Sequence, residues 1–143
     1  AEFEMLAATE SNMGRMEAAG VKTALSTVGA NTAPGEHVVR QYAGNLVAIA
    51  KVPGSSGLDW GHALATITSG PAEAIGMGDE IGSLRPGRRA DVVIWDGDPL
   101  ELSSAPVAVY IDGAAQPMTS RQTKLRDRYM TPSEGALPKA YER

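Results

Sequence analysis

Hydrophobic and polar positions alternate most regularly between Ile81 and Met118. Ala90-Asp91-Val92-Val93-Ile94-Trp95 ends in an unbroken β-branched and aromatic run. Such a run suits a strand covered on both faces. Leu84-Arg85-Pro86-Gly87 before it predicts a tight turn, with Pro fixing φ and Gly accepting φ > 0. Asp96-Gly97-Asp98-Pro99 stops the strand. Val107, Val109 and Ile111 then alternate with Ala108 and Tyr110, the period-2 signature of a second strand. Asp112-Gly113 is the favoured dipeptide of a two-residue hairpin, returning through a short strand, Ala114–Gln116, that Pro117 ends. Val92, Ile94, Val107, Val109 and Ile111 are expected to be buried in one layer.

Upstream the pattern changes to helical spacing. Glu2–Ala19 predicts a helix with Phe3, Leu6, Met13 and Met16 near one face, closed by Gly20. Val21–Thr27 predicts a short strand, and Gly29–Gly35 a loop. Glu36–Ala50 predicts a second helix, with Val39, Tyr42, Leu46 and Ile49 in one apolar stripe. Asp59 is a good N-cap for a third helix from Trp60 to about Thr68, with Leu58 stapled onto Ala63. Pro71 suits the first position of a short helical turn that Gly76 closes. Thr119-Ser120-Arg121-Gln122 predicts a capping box for a last helix carrying Leu125 and Tyr129, and Thr131–Arg143 an extended tail.

Gly82-Ser83-Leu84-Arg85-Pro86-Gly87-Arg88-Arg89-Ala90-Asp91-Val92-Val93-Ile94-Trp95 closely resembles the C-terminal signature of metal-dependent amidohydrolases, nearest to the imidazolonepropionase-like members. Thr68–Gly76 resembles the helix that precedes that signature. The resemblance covers roughly Gly20 to Tyr129 and implies an α/β fold. The chain would supply closing β/α units of a (β/α)8 TIM-type barrel, followed by the C-terminal strands of a small β-sandwich. Residues 1–76 would be barrel, 77–118 sandwich strands, and 119–143 a C-terminal helix and tail.

Length limits what such a chain can be. Its 143 residues suffice for one ordinary domain. A whole (β/α)8 barrel needs about 250 residues. With its start at Ala1-Glu2-Phe3-Glu4, the chain is expected to be the last part of an enzyme. The net charge of −4 with scattered basic residues argues against nucleic acid or an anionic membrane as partner. No apolar run approaches the roughly 20 residues of a transmembrane helix. The absence of cysteine excludes disulfides and thiolate metal sites and leaves the compartment open between cytoplasm and periplasm.

The resemblance also says where chemistry should lie. It makes Val21–Thr27 the eighth barrel strand. At that strand's end the family carries an aspartate that binds a metal and shuttles a proton, tasks a carboxylate can perform. Here the sequence reads Ser26-Thr27-Val28, so Val28 stands where the family has its Asp. A valine does neither task, and no catalytic or metal-binding residue is assigned. The family's histidine ligands would lie on earlier strands. Zinc or another divalent metal is implied for the complete enzyme and none for this chain alone.

Thr27, Asn31 and His37 are the candidates for substrate contact, since loops after barrel strands carry function. Turn, strand-end and helix-start chemistry is the plainer account of each. His62 reads as a surface or helix-packing histidine. Asp96 and Asp98 read as turn residues, and Arg85, Arg88 and Arg89 as solvated partners of Glu80 and Asp91. Two functions compete. One is the C-terminal part of a hydrolase that attacks the C–N bond of a small or cyclic amide with metal-activated water. The other is a non-catalytic structural or interaction module. The partners expected are the N-terminal remainder of the same enzyme, a small-molecule substrate and further copies of the chain in a homo-oligomer.

Overall fold

The computed structural model describes residues 8–26 and 38–130. Helices precede strands: α1 (Asn12–Ala18), α2 (Val38–Ile49), α3 (Trp60–Ala65), α4 (Ser69–Ala74), β1 (Val92–Trp95), β2 (Pro106–Ile111), β3 (Ala114–Ala115) and α5 (Arg121–Met130). The mixture is α/β in class. The strands form one antiparallel sheet in the order β1-β2-β3.

The helical part holds the core. Ala43 and Leu46 of α2 meet Leu58, Ala63 of α3 and Leu100, with Met13, Leu25, Val47, Leu64 and Ile67 packed around them. Small residues set the spacing. A side chain at Gly57 would collide with the backbone of Leu46 and Ala50. That closeness lets Leu58 N–H donate to Leu46 O at 3.0 Å, satisfying a carbonyl near the C-terminus of α2. Asp59 caps α3 as expected, its Oδ1 accepting from His62 N–H at 2.8 Å. Leu58 before the cap and Ala63 are both buried in the core cluster.

Helix ends follow local chemistry. Beyond α4, Gly76 has φ 77° and donates to Glu73 O while Met77 donates to Ala72 O. This paired return is a Schellman motif. α1 closes the same way at Gly20, through Glu17 O and Met16 O. α4 begins at Ser69, so Pro71 lies inside its first turn and not at its first position.

Four further expectations about the helices and the Val21–Thr27 segment require correction. The first helix starts at Asn12 and not at Glu2: residues 8–10 are not helical, and residues 1–7 lie outside the described part. Thr9 explains the late start, because its Oγ1 accepts from Ser11 N–H and its carbonyl from Asn12 N–H. Side chains of this type compete with helix. Val21–Ser26 is not a strand. The segment is tied to helices instead, by Leu25 N–H to Thr66 O at 2.9 Å, Thr23 Oγ1 to Glu17 Oε1 at 2.7 Å, and Lys22 Nζ to Glu73 Oε2 at 2.6 Å. The third helix is shorter than expected, ending at Ala65, with Thr66 as its C-cap. The last helix is capped by Ser120 and not Thr119. Ser120 Oγ accepts from Thr123 N–H at 3.1 Å and Thr123 Oγ1 accepts from Ser120 N–H at 2.8 Å.

The sheet corrects the expected layer. Val92 pairs with Tyr110, Val93 with Val109 and Ile94 with Ala108. Directly paired residues share a face, so Val92 and Ile94 lie opposite Val93, Val107, Val109 and Ile111. Nor are these side chains buried: Ile94 is 46% exposed and Val107 55% exposed. A β-run suited to two covered faces has no second layer among the described residues. The turn reading holds. Asp112 (φ 51°) and Gly113 (φ 75°) both have positive φ, as a type I′ hairpin demands, and connect the paired residues Ile111 and Ala114. Arg88 N–H returns to Arg85 O across Pro86 and Gly87.

Leu46→Ala should therefore lower unfolding stability by about 2–5 kcal/mol, whereas Ile94→Ala should change it by less than about 0.5 kcal/mol in this chain. Urea titration of both variants distinguishes them. A larger loss for Ile94 would mean that the sheet is covered.

Candidate functional site

A broad concavity lies between the helices and the sheet. It is a groove of about 1020 Å³ walled by Val39 and Arg40 of α2, Leu64 and Ile67, the Ile81–Leu84 loop, and Val92, Val93 and Trp95 of β1. The walls are chiefly aliphatic, and one cation stands among them. The Arg40 guanidinium lies 4.7 Å from the Trp95 ring centroid and donates to Ser104 O at 2.8 Å. Stacking plus a carbonyl acceptor fixes that head group, a use for which arginine suits better than lysine. Ser83 also lines the groove, and its buried Oγ has no hydrogen-bond partner among the described residues.

A second hollow of about 320 Å³ shares Ser83 and Gly82 and adds Glu73, Arg85 and Arg88. Glu73 ionises below its usual range, chiefly because Lys22 donates a hydrogen bond to it. Arg88 donates to Ile81 O at 3.3 Å and reaches Asp79 only at 3.8 Å. Arg89 pairs with Asp91 at 3.1 Å, and Asp91 also accepts from Asp112 N–H, so this pair braces the hairpin.

The sequence candidates fall in three groups. Thr27, Asn31 and His37, together with Val28, lie outside the described residues. The chain leaves that segment at Val38, next to Val39 and Arg40 of the groove wall. His62 is a surface residue whose Nδ1 lies 2.7 Å from Asp59 Oδ2. Asp96 and Asp98 act as turn residues. Asp96 Oδ1 accepts from Ala105 N–H and Asp98 Oδ1 from Leu100 N–H, while the Asp98 carboxylate also takes the Trp60 indole N–H at 2.9 Å. Sequence reasoning passed over Arg40, Trp95 and Ser83. An arginine between Val39 and Tyr42 of the apolar stripe was the available signal for the first. Its stacking partner is distant in sequence and gave none.

Thr68, Ser83 and Asp91 also line the groove, and among the described residues no base is hydrogen-bonded to the Ser83 hydroxyl. Among the described residues no three His, Cys, Asp or Glu side chains converge to hold a metal ion.

The sequence model of the amidohydrolase family matches residues 4–115. The chain belongs to the amidohydrolase family. A curated protein named amidohydrolase tasK, from Hapsidospora irregularis, is 50% identical over 60 residues, which are 42% of this chain and 6% of that protein. The crystal structure of an amidohydrolase from Thermotoga maritima superposes with a TM-score of 0.67 at 28% identity, covering 80% of this chain and 28% of that one. This amidohydrolase chain thus spans less than a third of the length of either relative. No helix among its described residues is long and apolar enough to cross a membrane.

The Asp59–His62 pair yields a pH prediction. A hydrogen bond from His62 N–H, and then one from its ring, hold the Asp59 carboxyl below its usual value of 3.8. The same carboxylate, through its hydrogen bond and its charge, raises His62 above 6.5. The lowered acid stabilises the fold above pH 3.8 and is lost as pH falls through its folded value. The raised base stabilises below pH 6.5 and is lost as pH rises through its folded value. The α3 cap is thus best held between those limits. NMR titration should place the His62 imidazole above 6.5, and Asp59→Asn should bring it down. An unchanged titration in that variant would refute the pairing.

Proposed function

We propose that the chain is the C-terminal part of a hydrolase that opens the C–N bond of a small or cyclic amide with metal-activated water. The observation that carries this reading is the family match across residues 4–115, set beside a structural relative of which the chain spans 28%. The finer choice of a cyclic amide rests on the likeness of Gly82–Trp95 to imidazolonepropionase-like enzymes. In this reading residues 1–76 close a (β/α)8 barrel, 77–118 complete a β-sandwich, and 119–143 form a C-terminal helix and tail. The N-terminal remainder of the enzyme covers the open sheet.

The described residues do not fit a metal site. No catalytic step is assigned to them. What they offer is binding: an aliphatic groove with Arg40 held rigidly at one wall, suited to an apolar body bearing a carboxylate or carbonyl oxygen. Thr27, Asn31 and His37 stand in the segment that rejoins the chain at that wall, and remain the proposed substrate contacts. A metal ligand set would come from the remainder of the polypeptide.

Metal analysis and amide hydrolysis test the reading together. The complete polypeptide should carry one or two tightly held divalent ions and hydrolyse a cyclic or N-acyl amide, losing activity to a chelator. Residues 1–143 alone should show neither property. Turnover with added zinc by this chain alone would overturn the fragment reading, and a metal-free, inert complete polypeptide would favour a structural module.

A further inference from the structure

The last helix and the β1–β2 connection carry opposite charge; among the described residues Asp96, Asp98 and Glu101 form no ion pair, and α5 forms one only within itself, Arg126–Asp127. α5 holds Arg121, Lys124, Arg126 and Arg128 against Asp127 alone, a net charge of +3. The whole chain carries −4, which leaves −7 on the other residues. Arg126 is spent on Asp127 at 2.7 Å. Arg121, Lys124 and Arg128 have no ion pair among the described residues. Their spacing of three, four and seven puts them on one face of α5 with Leu125, and Tyr129 lies beside it. Tyr129 is 74% exposed and no residue of α5 is buried. Among the described residues nothing packs over this basic face and its apolar side chains.

The matching surface is in the same chain. Asp96, Asp98 and Glu101 are all exposed in the turn between β1 and β2, which Glu101 N–H to Asp98 O and Ala105 N–H to Asp96 Oδ1 keep compact. Trp60, bonded to Asp98, and Leu102 at 63% exposure supply apolar area beside them. The nearby cation, Arg40, is committed to Trp95 and Ser104 O.

We propose that α5 of one copy docks on the Asp96–Glu101 turn of a second copy of this chain. Arg121, Lys124 and Arg128 would face Asp96, Asp98 and Glu101, and Leu125 and Tyr129 would cover Trp60 and Leu102. Exchange in both directions makes the contact twice within one two-fold dimer. Charge pairing of this kind gives specificity and is weakened by salt.

Sedimentation of the 143-residue chain tests it, with two variants whose fold is checked by circular dichroism. One is Arg121→Glu with Lys124→Glu and Arg128→Glu. The other is Asp96→Asn with Asp98→Asn and Glu101→Arg, in which each Asn keeps an acceptor for the turn. Each variant alone should associate at least about tenfold more weakly than the wild-type chain, a loss of about 1.4 kcal/mol. Mixing the two should restore association, because the basic helix of the second meets the intact acidic turn of the first. Raising salt should weaken the wild-type association. Self-association unchanged in either variant would overturn the proposal. So would a wild-type chain that stays monomeric to about 100 μM, including one that instead adheres to anionic vesicles.

Discussion

A β-sheet has two faces and satisfies its backbone without burying either. That constraint governs the second half of this chain. β1, β2 and β3 pair their N–H and C=O groups well enough to fix a register from Val92↔Tyr110 to Ile111↔Ala114. Yet Val93, Ile94, Val107 and Ile111 all remain about half exposed. Burying such side chains is worth roughly 1.5–3 kcal/mol each, and the sheet forgoes most of it within this chain. Among the described residues β1 and β3 are also unpaired along their outer edges, and such edges attract other strands. Both features fit a chain that spans 28% of its structural relative.

The helical half is differently placed. Its core is narrow because glycine and alanine let backbones approach, so Leu46, Leu58 and Leu100 can fill the remaining space. Two aromatic contacts tie the sheet to it. Arg40 stacks on Trp95 and holds Ser104 O, and Trp60 reaches the Asp98 carboxylate. Directional contacts of this sort set position more than they add stability. They place β1 along one wall of the groove and keep the loop holding Leu100 over the helices.

Features whose cause is local were legible in the sequence. Asp112-Gly113 gave its turn because few residues accept two consecutive positive φ values. Asp59 gave its cap, and Gly20 and Gly76 their helix ends, for similarly short-range reasons. What failed needed a partner. Val21–Ser26 has β-branched residues but no neighbouring strand among the described residues, so its hydrogen bonds went to α1, α4 and Thr66. The expected buried layer mixed two faces because alternation within each strand does not fix the register between strands. The capping box slipped by one residue since Thr119 and Ser120 both can cap, and only the hydroxyl of Thr123 decided between them. Of the candidate site, the sequence offered the 27–37 segment, whereas the groove depends on Arg40 meeting Trp95 across the fold.

Ser83 and Arg40 make different demands on whatever occupies that groove. Arg40 has an aromatic face and one carbonyl but no carboxylate among the described residues, so whatever covers it is favoured if it brings an oxygen to the guanidinium. Ser83 Oγ is buried with no partner among the described residues, and an unmet hydroxyl of that kind costs about 1–3 kcal/mol. A purely aliphatic cover would leave that cost in place. A substrate oxygen or a backbone group brought in by another segment would remove it, and would be selected for its position as well as its apolar area. A cover that brings a polar atom to Ser83 would therefore be favoured over a purely aliphatic one of the same area.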